Sequence, residues 1–261
     1  MDGTIYRGDS PIPYAREFIE YLNENDRKYL LLTNCPGNTP GLLVEKLSRM
    51  GISVREDNIL TSGQATASYL EKNYKGERVY LVGGEALEEE LRKKGIDVTR
   101  ELRGDGCDCV VVGYDKQFTY EKMTVASQLI AGGARFICTN GDLTIPHGET
   151  FVPHTGAISL SIEAASGVKP IVVGKPEKAM LDTAMELLGC RREDCCIIGD
   201  NLDTDISMGT RFNIQSFLVL TGVTNRDMAG QSVIRPSMIF ENLLEVLRYE
   251  SGDPRCGKCM S

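Results

Sequence analysis

The chain has 261 residues, of which 41% are hydrophobic and 25% are charged, and its formal net charge is −8 at pH 7. The acidic balance argues against a nucleic-acid partner, because binding the phosphate backbone requires clustered Lys and Arg. No stretch approaches the roughly 20 apolar residues of a membrane span, and residues 1–20 carry no secretion signal. We therefore expect a cytoplasmic globular protein with no membrane partner, long enough for one large domain or two smaller ones.

The nine cysteines are odd in number and scattered through the chain, several of them within apolar runs. We expect reduced core residues rather than a disulfide framework, because no secretion signal accompanies them. The tail Cys256-Gly-Lys-Cys259 has the spacing of a zinc site, but no two further ligands lie nearby. A frayed terminus is the favoured interpretation of this tail.

Short β-branched runs alternate with segments of helical period, a pattern that indicates an α/β fold with a parallel sheet. The predicted strands, in chain order, are Leu30–Leu32, Val79–Val82, Val110–Val112, Phe136–Ile137, Ile171–Val173, Cys195–Ile198 and Phe217–Leu220. Amphipathic helices are predicted between them, from apolar residues three and four apart. Three of these helices have clear buried faces: Ala15, Phe18, Ile19 and Leu22 in the first; Leu43, Leu47 and Met50 in the second, from Thr39-Pro40 to Gly51; Met180, Ala184 and Leu187 in the third, from Pro176 to Gly189.

Four loops concentrate polar residues, and three of them directly follow predicted strands. The first loop, at the start of the chain, has no strand ahead of it. Because ligands bind at the carboxyl ends of parallel strands, these loops are the candidate site. They are Asp2-Gly3-Thr4, Thr33-Asn34, Gly174-Lys175-Pro176 and the acidic loop Gly199–Asp205.

The acidic loop contains three carboxylates, Asp200, Asp203 and Asp205, behind an apolar strand. Such a cluster is repulsive unless a cation lies among the carboxylates, and hard oxygen ligands suit Mg²⁺. Asp200 is the favoured metal ligand because it directly follows the strand. For Asp203 we expect only a cap on the next helix.

The other two loops contain groups that bind phosphate in many proteins. The ammonium group of Lys175, held at the sheet edge, can neutralise phosphate charge. The Thr33 hydroxyl and the backbone N–H groups of Thr33-Asn34 can hold a phosphate oxygen. Each signal is weak alone, because exposed lysines and Thr-Asn turns are common.

Taken together and in this order, the four loops resemble the haloacid dehalogenase (HAD) superfamily, and in detail its NagD-like and 4-nitrophenylphosphatase-like subfamily IIA. The resemblance extends over nearly the whole chain and includes Ile59–Ser62, Val112–Asp115, Phe118–Lys122, Cys138–Asn140 and Leu220–Thr224. It implies a Rossmann-like parallel-sheet core, residues 1–74 and 171–261, with an α/β cap of the C2 type inserted at residues 75–170.

In this family the first motif reads Asp-x-Asp-Gly-Thr. Its first Asp attacks phosphorus, and its second protonates the leaving oxygen and later activates water. The resemblance aligns Asp2 with the second Asp, so that the nucleophile is the residue before Met1. We expect Met1 to be an internal methionine of a longer natural chain. The alternative is a true loss of the nucleophile, and in either case the chain as given is expected to be inactive.

The cap is expected to close over the phosphate loops and to select the leaving group. Asp115 and Asn140-Gly141-Asp142 follow cap strands and are expected to face the substrate, although plain loop residues are an equal alternative. Two histidines, His147 and His154, are placed in the loop after Asn140 and are read as loop residues rather than ligands. Tyr114 and Phe118 are expected to pack rather than to stack on a base.

The resemblance thus implies a Mg²⁺-dependent phosphatase acting through an aspartyl-phosphate on a small metabolite such as a sugar phosphate, a nucleotide or phosphoglycolate. The implied site residues are Asp2, Thr33 and Lys175 for catalysis; Thr33, Asn34, Lys175, Asp115 and Asn140 for the substrate; and Asp2, Asp200 and Asp205 for the metal. The rival hypothesis is a non-catalytic phosphometabolite-binding or regulatory protein. The oligomeric state is left open, a homodimer included.

Overall fold

The computed structural model describes residues 1–101, 106–147 and 150–252. The tail that contains Cys256 and Cys259 lies outside the described residues. Within the described part the strands are β1 (Tyr6–Arg7), β2 (Ser10–Pro11), β3 (Leu31–Thr33), β4 (Ile59–Thr61), β5 (Arg78–Val82), β6 (Asp97–Thr99), β7 (Cys109–Val112), β8 (Arg135–Cys138), β9 (Thr144–His147), β10 (Thr150–Pro153), β11 (Ile171–Val172), β12 (Cys196–Gly199), β13 (Gln215–Val219) and β14 (Met238–Phe240).

The α-helices of the same residues alternate with these strands. They are α1 (Ala15–Glu24), α2 (Pro40–Arg49), α3 (Ser62–Asn73), α4 (Glu85–Lys93), α5 (Tyr120–Ala131), α6 (Thr155–Ser166), α7 (Lys178–Leu188), α8 (Ser207–Phe212), α9 (Arg226–Gln231) and α10 (Leu243–Ser251). None of these helices has the length and apolar character that a bilayer crossing requires.

Two of the predicted helices show how well the periodicity located their buried faces. Helix α2 buries Leu43 and Leu47 as predicted, and Gly51 follows it with φ +73°, the left-handed conformation that ends many helices. Helix α7 buries Met180 as predicted, but Leu187 is 59% exposed. The prediction for Leu187 was wrong because the buried stripe of α7 does not extend into its last turn.

The chain divides into two compact units that differ from the predicted core and cap. The Asp200 unit comprises Met1–Leu31, Gly41–Ile59 and the described residues from Ala184 on, and the Lys175 unit comprises Leu32–Pro40 and the described residues of Leu60–Thr183. The predicted cap segment, residues 75–170, lies in the Lys175 unit with the loops of Thr33 and Lys175. The core–cap boundaries stay a prediction.

The Lys175 unit is built on a five-stranded parallel sheet with the order β11-β8-β7-β5-β6. All four residues of β7 are buried, as expected of a central parallel strand that is covered on both faces. Asp115 lies three residues beyond the end of β7, Asn140 lies two beyond β8, and Lys175 lies three beyond β11. The sheet therefore brings these three polar loops to one edge, at its carboxyl end.

An antiparallel hairpin, β9 and β10, follows this sheet edge and pairs Phe151 with Pro146. His147 belongs to β9 and His154 is the N-cap of α6, so the single loop predicted for this region was wrong. Proline is tolerated here because a two-stranded hairpin leaves each strand with an unpaired edge.

The Asp200 unit contains a three-stranded parallel sheet with the order β12-β13-β14. Its core includes Ile19 from α1, Phe217 from β13, Phe240 from β14 and Val246 from α10. Strand β12 ends at Gly199, and the acidic loop follows it directly.

Strands β3 and β4 pair with each other in a two-stranded sheet of their own.

Candidate active site

The Asp200 carboxylate is the most enclosed acidic group of the predicted site. It is only 3% exposed, and each of its oxygens accepts one hydrogen bond from a distant part of the chain. The Thr4 hydroxyl donates to Oδ1 at 2.7 Å, and the Val223 backbone N–H donates to Oδ2 at 2.9 Å. Because each oxygen retains another lone pair, this fixed carboxylate can also ligate a cation.

Two glycines make room for this carboxylate. A Cβ atom at Gly3 or at Gly222 would overlap the Asp200 side chain, and Gly3 also has φ +78°. The Thr221 hydroxyl donates to the Gly3 carbonyl at 2.7 Å and joins the two loops. Replacement of either glycine should therefore displace the carboxylate.

The variant Gly222→Ala is expected to lower the free energy of unfolding by about 1–3 kcal/mol, because the added methyl group forces a hydrogen-bonded carboxylate to move. Gly230→Ala is the matched control, since a Cβ there meets nothing within 4 Å and alanine favours the helix by up to about 1 kcal/mol. Urea denaturation measures both variants. Equal or higher stability of Gly222→Ala would show that the carboxylate is not confined by this glycine.

Asp2 lies in the first loop, where it forms a parallel bridge with Tyr6. Although the residue reaches solvent, the protein around it removes part of the hydration of its carboxyl group. This desolvation raises the pKa of Asp2, and the charge of Asp200 acts in the same direction, whereas Lys46 lowers the pKa. A carboxyl group with a raised pKa is suited to general acid catalysis.

The acidic loop continues into a five-residue π-helix, Leu202–Ile206. Asp205 is 7% exposed and packs against Gly199, where a Cβ atom would overlap its side chain. Asp203 is exposed, and its backbone N–H is capped by the Asn201 side chain at 2.9 Å. The predicted cap was therefore assigned to the wrong residue, because Asn201 occupies the position that accepts this hydrogen bond.

The donor set at Asp200 fits a hard cation, although not through a cluster of carboxylates. Within residues 1–101, 106–147 and 150–252, no group of three or more His, Cys, Asp or Glu side chains is placed to hold a metal ion. A Mg²⁺ ion at Asp200 would instead draw its other oxygen ligands from backbone carbonyls and water. The metal roles of Asp2, Asp200 and Asp205 stay predictions.

In the Lys175 unit, the structure brings Asn34 and Lys175 together. The Asn34 side chain accepts a hydrogen bond from the Lys175 backbone N–H at 2.8 Å and donates one to the Lys175 carbonyl at 3.0 Å. Thr33 ends β3, is 8% exposed and accepts the Cys35 backbone N–H at 3.3 Å. The predicted phosphate-binding loops of Thr33-Asn34 and Lys175 are thus adjacent at Asn34.

Asp115 and Asn140, the two residues predicted to bind the substrate, both have side chains that form bonds within the protein. Asp115 is paired with Lys122 at 2.7 Å and also accepts the Gln117 backbone N–H at 2.8 Å. Asn140 is fully buried, and its side chain bonds to Thr139 and Asp142. The contact of Asp115 and Asn140 with substrate stays a prediction.

His154 is 1% exposed and stacks on Tyr114 with 4.8 Å between ring centroids. This contact agrees with the prediction that Tyr114 packs. Burial lowers the pKa of His154, and the nearby Asp142 opposes this effect.

Two residues that bond to Asp200, Thr4 and Val223, were given no role of their own from the sequence, whereas Asp142 was expected to face the substrate. Thr4 and Val223 hold Asp200, and Asp142 holds Asn34 at 2.9 Å. The available signal was positional, because Thr4 and Val223 lie in segments that carry the family resemblance.

Family models match the two ends of the chain. A model described as haloacid dehalogenase-like hydrolase matches residues 1–97, and one described as HAD-hydrolase-like matches residues 172–246. Among curated relatives, the acid sugar phosphatase of Staphylococcus saprophyticus is 37% identical over 95% of each chain. The 5'-nucleotidase YutF of Bacillus subtilis is 34% identical over 95% of this chain and 96% of that protein.

Solved structures match the fold at similar identity. NagD from E. coli K-12 has a TM-score of 0.87 at 34% identity, over 93% of this chain and 94% of that one. The 4-nitrophenylphosphatase from Thermotoga maritima has a TM-score of 0.88 at 34% identity, over 95% and 94%. A glycerol phosphate phosphatase from Mycobacterium tuberculosis, solved in complex with magnesium, has a TM-score of 0.86 at 29% identity, over 94% and 73%. The predicted fold and family are confirmed, and the chain belongs to the haloacid dehalogenase-like hydrolases.

Proposed function

We propose that this haloacid dehalogenase-like hydrolase is a Mg²⁺-dependent phosphatase that acts on a small phosphorylated metabolite, a sugar phosphate or a nucleotide. The observation that carries the proposal is the Asp200 carboxylate, which is buried, bonded to two donors and confined between two glycines. A carboxylate fixed in this way is preorganised to ligate a hard divalent cation. The relatives named acid sugar phosphatase and 5'-nucleotidase support the substrate class.

The proposed metal ligands are the Asp200 carboxylate and the backbone carbonyl of Asp2, with Asp205 supporting the acidic loop. A bound Mg²⁺ would neutralise negative charge on the phosphoryl oxygens. The similarity to a phosphatase solved with magnesium supports this choice of metal.

The proposed phosphate ligands are Thr33 and Lys175. Both residues are 8% exposed, so a charge-assisted hydrogen bond from the Lys175 ammonium group is screened less by water than one at the surface. Asn34 holds the Lys175 backbone through two hydrogen bonds, which limits the movement of this residue. The roles of Thr33 and Lys175 are thus to bind and orient the phosphoryl group.

In the proposed reaction, the Asp that the resemblance places directly before Met1 attacks phosphorus. The bond from phosphorus to the leaving oxygen breaks, and the Asp2 carboxyl group gives its proton to that oxygen. The Asp2 carboxylate then takes a proton from water as the water oxygen attacks the aspartyl-phosphate. Inorganic phosphate leaves, and the nucleophilic carboxylate is regenerated.

The test uses the extended protein, which we define as this chain preceded by an apolar strand and an Asp directly before Met1. It is expected to release phosphate from 4-nitrophenyl phosphate and from a sugar phosphate or 5'-nucleotide. Release should stop in chelator and return with Mg²⁺. The matched control replaces the added Asp by Asn and should release none. Full activity in chelator, or activity in the Asn control, would contradict the proposal.

A further inference from the structure

A line of hydrogen bonds in the Lys175 unit runs from Asp142, which lies just before the β9–β10 hairpin, through Asn34 to the backbone of Lys175, the proposed phosphate ligand. The Asp142 Oδ2 atom accepts from the Asn34 side-chain amide at 2.9 Å and from the Asn140 side-chain amide at 2.6 Å. Asn34 in turn bonds to both the N–H and the carbonyl of Lys175. One carboxylate oxygen is therefore shared by two amides, one of which holds the Lys175 backbone.

The far end of this line is fixed by buried groups. Asn140 is fully buried, and its Oδ1 accepts from the Thr139 hydroxyl at 3.0 Å. Its amide nitrogen also lies 3.1 Å from the His154 Nδ1 atom. Since burial favours the neutral form of His154, this ring nitrogen can accept, and the Asn140 amide has one orientation that satisfies all three partners.

The backbone around Asn34 is shaped to admit its side chain. A Cβ atom at Gly174 would overlap both the Asn34 Oδ1 atom and the Thr139 carbonyl. Gly174 itself donates its N–H to the Thr139 carbonyl at 2.8 Å. The Asn34 amide is thus enclosed between the two strand ends that lead to Asn140 and Lys175.

We propose that Asp142 is a positioning residue for the phosphate-binding lysine, acting through Asn34 on the backbone of Lys175. The inference rests on the proposed function, because it assumes that Lys175 binds phosphate. It differs from the sequence-based expectation that Asp142 faces the substrate. An anionic side chain beside a phosphoryl group would repel it, whereas the Asp142 Oδ2 atom is used within the protein as the shared acceptor of two amide N–H groups.

The experiment measures binding of inorganic phosphate in the presence of Mg²⁺ by isothermal titration calorimetry. Asp142→Ala and Asn34→Ala are each expected to weaken binding about tenfold, and the double variant should be no weaker than either single one, because both act through the same contact. Asp142→Asn keeps a carbonyl oxygen that can accept both amides, so it should stay within about threefold of the wild type.

The matched control is Asp97→Ala, which removes an exposed carboxylate paired with Arg78 in the same unit and should leave phosphate affinity unchanged. Lys175→Ala separates the two proposals. If the wild type fails to bind phosphate, or Lys175→Ala binds it as the wild type does, the proposed function and this inference both fall.

If Lys175→Ala loses binding but Asp142→Ala retains it, only the positioning role is overturned. Additive losses in the double variant would likewise show that Asp142 does not act through Asn34. An equal loss in Asp142→Asn and Asp142→Ala would show that charge, rather than the shared acceptor, is what matters, and would also overturn the inference.

Discussion

In the extended protein, Asp200→Asn is expected to lower the Mg²⁺-dependent turnover number about 10³-fold, which corresponds to the several kcal/mol that a metal ion contributes to phosphoryl transfer. The variant keeps the size of the side chain but replaces one carboxylate oxygen by an amide. That amide group has to face either the Val223 N–H or the Thr4 hydroxyl, which now donate to the two oxygens. Both the negative charge and the fixed geometry of the metal ligand are lost.

The matched control for this variant is Asp203→Asn, three residues away in the same acidic loop. Asp203 is exposed, and its backbone rather than its side chain bonds to Asn201. We expect its turnover number and its Mg²⁺ dependence to equal those of the extended protein. If Asp203→Asn is as impaired as Asp200→Asn, the overall charge of the loop explains the effect, and a specific ligand at Asp200 is excluded.

The second large effect is expected for Asp2→Asn, which removes the proposed general acid. For an alkyl phosphate such as glycerol phosphate, the turnover number should fall by about 10²–10⁴-fold. For 4-nitrophenyl phosphate the first step should fall less, because 4-nitrophenolate leaves without being protonated. Burst and steady-state assays with both substrates separate the two steps.

The raised pKa of Asp2 also predicts how the activities of the extended protein and of its Asp2→Asn variant depend on pH. Because the acid acts in its protonated form, kcat/KM for the alkyl phosphate should fall as pH rises through this pKa. The raised value moves that fall to higher pH than for an ordinary Asp, and the Asn variant should lack it. Asp57→Asn, an exposed surface carboxylate of the same unit, is the control and should retain the profile. An unchanged profile in Asp2→Asn would remove this residue from the proposed acid–base role.

Much of the fold could be predicted because the central strands are continuous apolar runs. Strand β7 and most of β5 are buried on both faces and therefore have a strong sequence signal. The short edge strand β6 and the hairpin of β9 and β10 were missed. These strands have only three or four residues each, and several of those residues are polar or proline. Their pairing depends on contacts with neighbouring strands, which the local sequence pattern does not show.

The candidate site, like the fold, could be predicted from the sequence only in part. Asp200 could be recognised because an acidic residue directly follows an apolar strand, β12. The partners that hold it could not, since Thr4 lies 196 positions away in the sequence, and hydrogen bonds between distant segments leave no local pattern. The same holds for Asp142 and Asn34, which are 108 positions apart.

Anomalous scattering from Mn²⁺ in crystals of the extended protein would locate its divalent ion and so test whether Asp200 binds the metal. We expect one strong peak at an inner-sphere distance, about 2.0–2.3 Å, from an oxygen of the Asp200 carboxylate. The peak should be absent in Asp200→Asn. A single ion bound elsewhere, in a protein whose phosphate release still requires a divalent cation, would contradict the claim that Asp200 binds the metal.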